Sequence, residues 1–232
     1  MKKVLAVVLF VALIMVSVIG ASFAEESYTF RNIPWLTTKV DVIEAMNAEG
    51  YKVSWKYDNT TIADWFQTWI NITGDYKVAE GGCYLSFKGV KVAGYSASLS
   101  TYYWYPIVDG RVQRDNDLAQ FYLAEYEIQN IENMDPVYDD LLAKLTSLYG
   151  KPETKNSDSS WTDTIGALWT ADDGSLIWLA RYKAYGDTAV KIWYAAPKTT
   201  ETLQALEKQI AQETLEAEEA EREKNKTNTD GL

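Results

Sequence analysis

The sequence contains no histidine and a single cysteine, Cys83, among its 232 residues. The lack of histidine excludes the Ser-His-Asp and Cys-His arrangements that serve nucleophilic catalysis. Together with the single cysteine, it also excludes the usual zinc ligand sets. No glycine-rich stretch has the spacing that cradles a phosphate or a dinucleotide. We therefore expect a protein that is not an enzyme and that uses no cofactor and no metal.

Basic residues are also few, at 22 lysines and arginines against 33 acidic residues, which gives a formal net charge of −11. Such a surface repels the phosphates of nucleic acids and anionic lipids, whose binding needs basic patches. We expect neither as a partner. Cys83 cannot form an internal disulfide, and its place in an alternating apolar run predicts a small buried thiol.

Long apolar runs are absent except at the N-terminus, where Val4 to Ile19 carries no charge. Lys2 and Lys3 precede this run and small residues follow it, which predicts a signal peptide over residues 1–24 that is cleaved before Glu25. The alternative is a retained membrane anchor, but the run is shorter than the roughly 20 residues of a bilayer span. We expect an exported protein, secreted or held in the periplasm or cell envelope, without a stable membrane anchor.

The clearest structural element is a helix that begins near Asp135 and ends at Gly150. Asp135 is a suitable N-cap, Pro136 suits the first turn, and Gly150 followed by Pro152 terminates the helix. The spacing of its large side chains predicts one buried stripe, made of Tyr138, Leu141, Leu142, Leu145, Leu148 and Tyr149.

Strands are predicted on both sides of this helix by period-2 alternation and turn residues. Before it we expect strand 28–35, a short helix capped by Thr37 or Thr38, strand 51–57, a short helix or irregular segment within 59–82, and a meander from Cys83 to Tyr126 that turns at Lys88-Gly89 and Asp109-Gly110. After it we expect a polar loop at 155–160 and strands 161–170, 175–182 and 188–195. The predicted fold class is α+β, with two halves that each combine a helix and an antiparallel sheet.

A last helix is predicted from Thr200 onward by the spacing of Leu203, Leu206 and Ile210. Its composition then becomes rich in glutamate, so we expect it to fray after about Glu223. The domain organisation is therefore a signal peptide over 1–24, an α+β domain over 25–198 with halves 25–130 and 131–198, and an acidic helical tail over 199–232.

Two short motifs resemble a group of exported bacterial proteins. The first is the Phe-x-x-Ile-Pro-Trp opening at residues 30–35, and the second is the Tyr-Gly-Lys-Pro helix end at residues 149–152. The group tends to have glycine where this chain has Leu36. The halves are also similar to beta-lactamase-inhibitor-protein-like domains. This resemblance implies a domain that binds other proteins and supplies no catalytic residues.

The aromatic run Tyr102, Tyr103, Trp104 and Tyr105 is the candidate binding site. On a strand, Tyr102 and Trp104 point one way while Tyr103 and Tyr105 point the other. If one face is open, it presents two large aromatic rings of the kind that protein interfaces favour. The alternative is that both faces are covered and the run belongs to the core.

Carboxylates remain as acids, bases or ligands for a third kind of function. The local clusters are Asp115-Asn116-Asp117, Asp172-Asp173-Gly174 and Asp158 with Asp163, and turn formation is the usual role of such residues. We expect a non-catalytic protein that binds a protein partner in the cell envelope or outside the cell. The alternatives are a module that binds cell-wall or other carbohydrate through exposed Trp and Tyr, and a carboxylate-dependent hydrolase.

Overall fold

The computed structural model describes residues 27–62, 78–129, 131–157, 164–184 and 187–227. The predicted signal peptide and its cleavage site lie outside these ranges, as do Asp158 and Asp163. The described helices are α1 (Lys39–Ala48), α2 (Asp135–Tyr149) and α3 (Thr199–Thr227). None of them is long and apolar enough to cross a membrane.

The described strands form one large antiparallel sheet and one small hairpin. They are β1 (Val53–Ile62), β2 (Val78–Val92), β3 (Tyr95–Trp104), β4 (Ile107–Val108), β5 (Arg111–Val112), β6 (Gln120–Gln129), β7 (Glu153–Ser157), β8 (Thr164–Thr170), β9 (Leu176–Ala184) and β10 (Asp187–Ala195). Strands β4 and β5 make the hairpin, and the other eight make the sheet.

The strand order in the large sheet is β1-β2-β3-β6-β10-β9-β8-β7. Strands β1, β2, β3 and β6 follow α1 in the chain and form one meander. Strands β7 to β10 follow α2 and form a second. The meanders join where β6 pairs antiparallel with β10, from Ala189 opposite Gln129 to Ala195 opposite Leu123. The predicted α+β class, with helix-plus-sheet halves and a C-terminal helix, is confirmed.

Helix α2 covers one face of the second meander with its buried Tyr138, Leu141 and Leu145. The Arg181 side chain of β9 contacts the helix from below, through an ion pair with Asp135 and a guanidinium 4.9 Å from the Tyr138 ring. We call the sheet face under α2 the helix face and the other the opposite face.

The stripe predicted for α2 is wrong at Leu148, which is 66% exposed. The last turn of the helix packs instead through Tyr149, whose ring contacts the Tyr28 ring edge to face with the ring centroids 5.0 Å apart. The N-cap position also differs, because the helix begins at Asp135 and Met134 precedes it as the cap. Gly150 ends the helix at φ 78° and ψ −165°, a positive-φ conformation that glycine adopts far more readily than other residues.

Helix α1 begins where the sequence predicts, with Thr38 as N-cap accepting from the Asp41 amide at 3.4 Å. The strand predicted at 28–35 is wrong. The chain turns back there, since Arg31 and Asn32 have φ of 50° and 59° and Phe30 bridges Ile33. This turn buries both Phe30 and Ile33. An extended segment would point these two side chains to opposite faces.

Three further boundaries differ from the predictions. Gly89 lies in a bulge of β2 between Phe87 and Val90, and the chain turns instead at Ala93-Gly94. Strands β1 and β2 extend into the region 59–82, where a helix or irregular segment was expected, and residues 63–77 lie outside the described ranges. The predicted polar loop begins as the strand β7, which pairs with β8 at the sheet edge. Edge strands tolerate polar side chains, because one side faces water.

The three strands predicted after α2 are confirmed as β8, β9 and β10. Helix α3 begins at Thr199 and buries Leu203 and Leu206, as expected. It continues as a helix to Thr227, four residues beyond the point after which fraying is expected. Residues 228–232 lie outside the described ranges.

Candidate functional site

Four aromatic side chains form a row across the opposite face of the first meander. They are Trp55 and Tyr57 of β1, Tyr84 of β2 and Tyr102 of β3, and we call them the aromatic row. Tyr57 pairs in register with Tyr84, and Tyr84 pairs with Tyr102, so their side chains share one face. Trp55 is 58% exposed and Tyr57 is 40% exposed, which makes the β1 end of the row accessible to a partner.

The rings of the aromatic row stack on one another. Centroids of Tyr57 and Tyr84 lie 4.2 Å apart with planes at 17°, and those of Tyr84 and Tyr102 lie 5.4 Å apart at 29°. Nearly parallel rings with centroids this close must face each other, because two rings lying side by side in one plane would collide at these distances. Tyr84 is therefore covered on both faces by neighbouring rings, while Tyr57 and Tyr102 each turn one face to Tyr84.

Burial and a hydrogen bond with Tyr57 raise the pKa of Tyr84 to about 12. The hydroxyl is therefore protonated at neutral pH and available as donor and acceptor. Serines accompany the rings: the Ser86 and Ser100 hydroxyls lie 3.3 Å apart, and the Ser54 hydroxyl donates to the Ser86 carbonyl at 2.9 Å. A surface of Tyr, Trp and Ser is the composition that antibody paratopes use to contact proteins.

The sequence did not single out Trp55 and Tyr57 as site residues. An unbroken strand over 51–57 would place Tyr51, Val53, Trp55 and Tyr57 on one face. The register shifts between Val53 and Trp55, so Val53 pairs with Phe87 on the helix face while Trp55 and Tyr57 turn to the opposite face. A bulge inverts the alternation in this way, and the sequence carries no clear signal for it.

Three residues of the predicted aromatic site are core residues. Tyr103, Trp104 and Tyr105 are 0%, 2% and 1% exposed. Tyr103 lies on the helix face near Phe121, and Trp104 stacks on Tyr122 at 4.5 Å. Of the two alternatives, the one in which the run belongs to the core therefore holds for these three residues. Tyr102 is partly buried and is the one member of the run that joins the aromatic row.

A second feature is a groove of about 460 Å³ between the end of β3, the β4–β5 hairpin and the first turns of α3. Trp104 and Tyr105 contribute to its wall despite their low exposure. The residues that line it are Trp104, Tyr105, Pro106, Ile107, Val108, Gln120, Lys198, Glu201, Thr202, Ala205 and Leu206. We call this feature the hairpin groove.

A third feature is a buried ionic network where β6 meets β10. Lys191 Nζ lies 2.9 Å from Glu125 Oε1 and 3.0 Å from Glu127 Oε1, and Trp193 Nε1 donates to Glu125 Oε2 at 2.9 Å. Both oxygens of Glu125 therefore have partners. The sequence gives no local signal for this network, because Lys191 and Glu125 are 66 residues apart.

The carboxylate clusters that the sequence singled out serve turns where they are described. The Asp117 amide donates to Asp115 Oδ1, and both the amide and the hydroxyl of Ser175 donate to Asp173 Oδ1. Within the described ranges, no group of three or more His, Cys, Asp or Glu side chains is arranged to hold a metal ion.

The chain matches no protein-family model, and neither the curated proteins nor the solved structures contain a match to it.

Proposed function

We propose that this protein is an exported, non-catalytic binding protein whose aromatic row contacts a protein partner in the cell envelope or outside the cell. The observation that carries the proposal is the exposure of Trp55 and Tyr57, at 58% and 40%, on an otherwise well-packed sheet. Large exposed aromatic side chains cost solvation free energy, and in binding interfaces they are the residues that contribute most.

Ring geometry favours a protein over a glycan as the partner. A sugar packs its C–H bonds against the flat face of an aromatic ring. In the aromatic row both faces of Tyr84 and one face each of Tyr57 and Tyr102 are covered by neighbouring rings. Edges, hydroxyl groups and the adjacent serines suit the mixed apolar and hydrogen-bonding contacts of a protein interface.

The sheet edge itself is a weaker candidate than the face. Strand β1 is an edge strand of the described sheet, but its register shifts at three places along its pairing with β2. Charged side chains at Lys56 and Asp58 flank the aromatic residues. Bulges and charges are the features that prevent another strand from adding to an edge.

The experiment compares capture by the wild-type chain, residues 25–232, with capture by Trp55→Ala and by Leu148→Ala. Leu148 is the matched control, since it is a large apolar side chain, 66% exposed, on α2 over the helix face. Bound proteins and bound glycans from envelope extract are both measured. The protein captured in a Trp55-dependent way is then purified and titrated against the three chains.

We expect Trp55→Ala to weaken that complex by about tenfold or more, the effect of losing an aromatic hot-spot residue. Leu148→Ala should bind like the wild type. Equal loss in both variants, or none in either, would contradict the aromatic row as the contact surface. Trp55-dependent capture of glycan without protein would favour the carbohydrate-binding alternative.

A further inference from the structure

The walls of the hairpin groove are fixed by polar contacts beyond it. Gln209 Nε2 donates to the Gly110 carbonyl at 2.7 Å, and the Val112 amide donates to Glu213 Oε1 at 2.7 Å. Arg114 also pairs with Glu213 at 2.7 Å. These contacts tie the hairpin to α3 along successive turns of the helix. The groove is thus largely preformed, as ligand pockets of this size usually are.

The groove has an apolar lining with one oriented amide. Trp104 Nε1 donates to Gln120 Oε1 at 3.2 Å. Because an indole N–H can only donate, this contact fixes the Gln120 carboxamide with its oxygen toward Trp104. The Nε2 group, which has two N–H donors, is then the part of Gln120 with which a ligand in the groove can form a hydrogen bond.

The charged side chains of the lining have opposite signs. Lys198 and Glu201 are both exposed near the start of α3, and among the described residues that line the groove they are the only charged ones. A charged ligand would be attracted by one and repelled by the other. The lining therefore favours a neutral molecule.

We propose that the hairpin groove binds a small neutral molecule that has an apolar body and one hydrogen-bond acceptor. The apolar body packs against Ile107 and Val108, which are 40% and 47% exposed, and the acceptor binds Gln120 Nε2. The volume of about 460 Å³ lies within the usual range for small-molecule pockets, roughly 300 to 1,000 Å³. This site is separate from the aromatic row, and the proposal stands whether or not the aromatic row binds a protein.

Benzophenone is a suitable probe, because it is neutral, has two apolar rings and one carbonyl acceptor, and inserts into nearby C–H bonds under near-ultraviolet light. The purified chain is irradiated with benzophenone and the labelled peptides are mapped by mass spectrometry. We expect the label within residues 104–108 or 198–206. A label confined to other parts of the chain, or no label at all, would overturn the proposal.

Two tryptophan substitutions on the same helix supply the matched comparison. Ala205 is exposed and lines the groove, and Ala217 is exposed three turns further along α3. Ala205→Trp fills the groove and should reduce labelling there by about tenfold or more. Ala217→Trp should leave it unchanged. Equal labelling of the two variants would refute binding in the groove.

Gln120→Leu tests the acceptor contact. Loss of one hydrogen bond should weaken benzophenone binding roughly fivefold, measured from the concentration dependence of labelling. Near-ultraviolet circular dichroism and urea denaturation check that the Gln120→Leu chain remains folded. Unchanged affinity in a folded Gln120→Leu chain would contradict the assigned role of the amide.

Discussion

Lys191 Nζ lies 2.9 Å from Glu125 Oε1, across the pair of strands that joins the two meanders. Both residues are buried, at 9% and 6% exposure. Although burial lowers the pKa of Lys191, the charges of Glu125 and Glu127 and their hydrogen bonds raise it above its ordinary value. The ammonium group therefore remains charged at neutral pH and holds β6 and β10 together.

Lys191→Met should destabilise the fold by about 3 kcal/mol, because it leaves the buried Glu125 carboxylate and the partly buried Glu127 carboxylate without their cation. The measurement is the free energy of unfolding from urea denaturation. Lys144→Met is the control: its ion pair with Asp140 is exposed, at 47% and 37% for the two side chains. Exposed pairs contribute at most about 1 kcal/mol. Equal effects of the two substitutions would show that the buried network does not hold the meanders together.

The parts of the fold that the sequence predicts well have strong local signals. Helix α2 is bounded by Pro136 and Gly150, and the strands after it are separated by turns such as Asp172-Asp173-Gly174. The predictions fail where a distant contact decides the local conformation. Residues 28–35 look extended, but Phe30 reaches the Phe121 and Tyr194 rings only if the chain turns back. Strand β7 looks like a loop, and only its pairing with β8 makes it a strand.

The candidate surfaces were harder to predict for the same reason. The direction of Tyr102, Tyr103 and Trp104 follows from the strand period, and that part of the prediction agrees with the structure. Their exposure depends on which elements cover each face, which the local sequence does not reveal. The inversion at Trp55 depends on one bulge, and the Glu125–Lys191 pair depends on the register of two strands that are distant in sequence.

Leu36 has a positive φ of 66° and is 49% exposed. A left-handed conformation costs a residue with a Cβ atom roughly 1–2 kcal/mol, while glycine in its place loses roughly 0.5–1 kcal/mol of chain entropy. We expect Leu36→Gly to stabilise the fold by up to about 1 kcal/mol, measured by urea denaturation.

Leu36→Ala separates the backbone effect from loss of the side chain, because alanine keeps the Cβ atom. It should bring no comparable gain. Val40→Gly is a second control, since Val40 is similarly exposed but lies in helix α1. Glycine there should cost roughly 0.3–0.5 kcal/mol, the difference between the helix propensities of valine and glycine. A stabilising effect of Leu36→Ala as large as that of Leu36→Gly would attribute the gain to removal of an exposed apolar side chain.

Cys83 is 2% exposed, and its burial raises the thiol pKa to about 12. The reactive species is the thiolate, so a folded chain at pH 8 should not react with a disulfide reagent such as dithionitrobenzoate, while a chain in urea should react fully. The measurement is the absorbance of the released thiolate over time. Rapid labelling of the folded chain, at the rate of the unfolded one, would show that β2 opens readily at this position.

Glu213 connects α3 to the β4–β5 hairpin through Arg114 and the Val112 amide. Burial tends to raise its pKa, but hydrogen bonds from Arg114, Val112 and Gln209 lower it below the ordinary value of 4.5. A group whose pKa is lowered by folding stabilises the folded state above its unfolded pKa, and the contribution is lost as the pH falls through the folded pKa. The helix-to-hairpin contact should therefore be complete above about pH 4.5 and weaken below it.

The Val112 amide reports this titration directly, because its N–H donates to the Glu213 carboxylate at 2.7 Å. Its proton shift in an NMR pH series should move with a midpoint below 4.5. Arg114→Ala removes a cation and a hydrogen bond from Glu213, so the midpoint should rise toward the ordinary glutamate value. Arg222→Ala removes a similar ion pair, to Glu218 further along α3, and should leave the Val112 midpoint unchanged. If both substitutions shift the midpoint equally, the general charge of the helix controls Glu213. A shift with Arg114→Ala alone would identify the local contact as the one that fixes this wall of the hairpin groove.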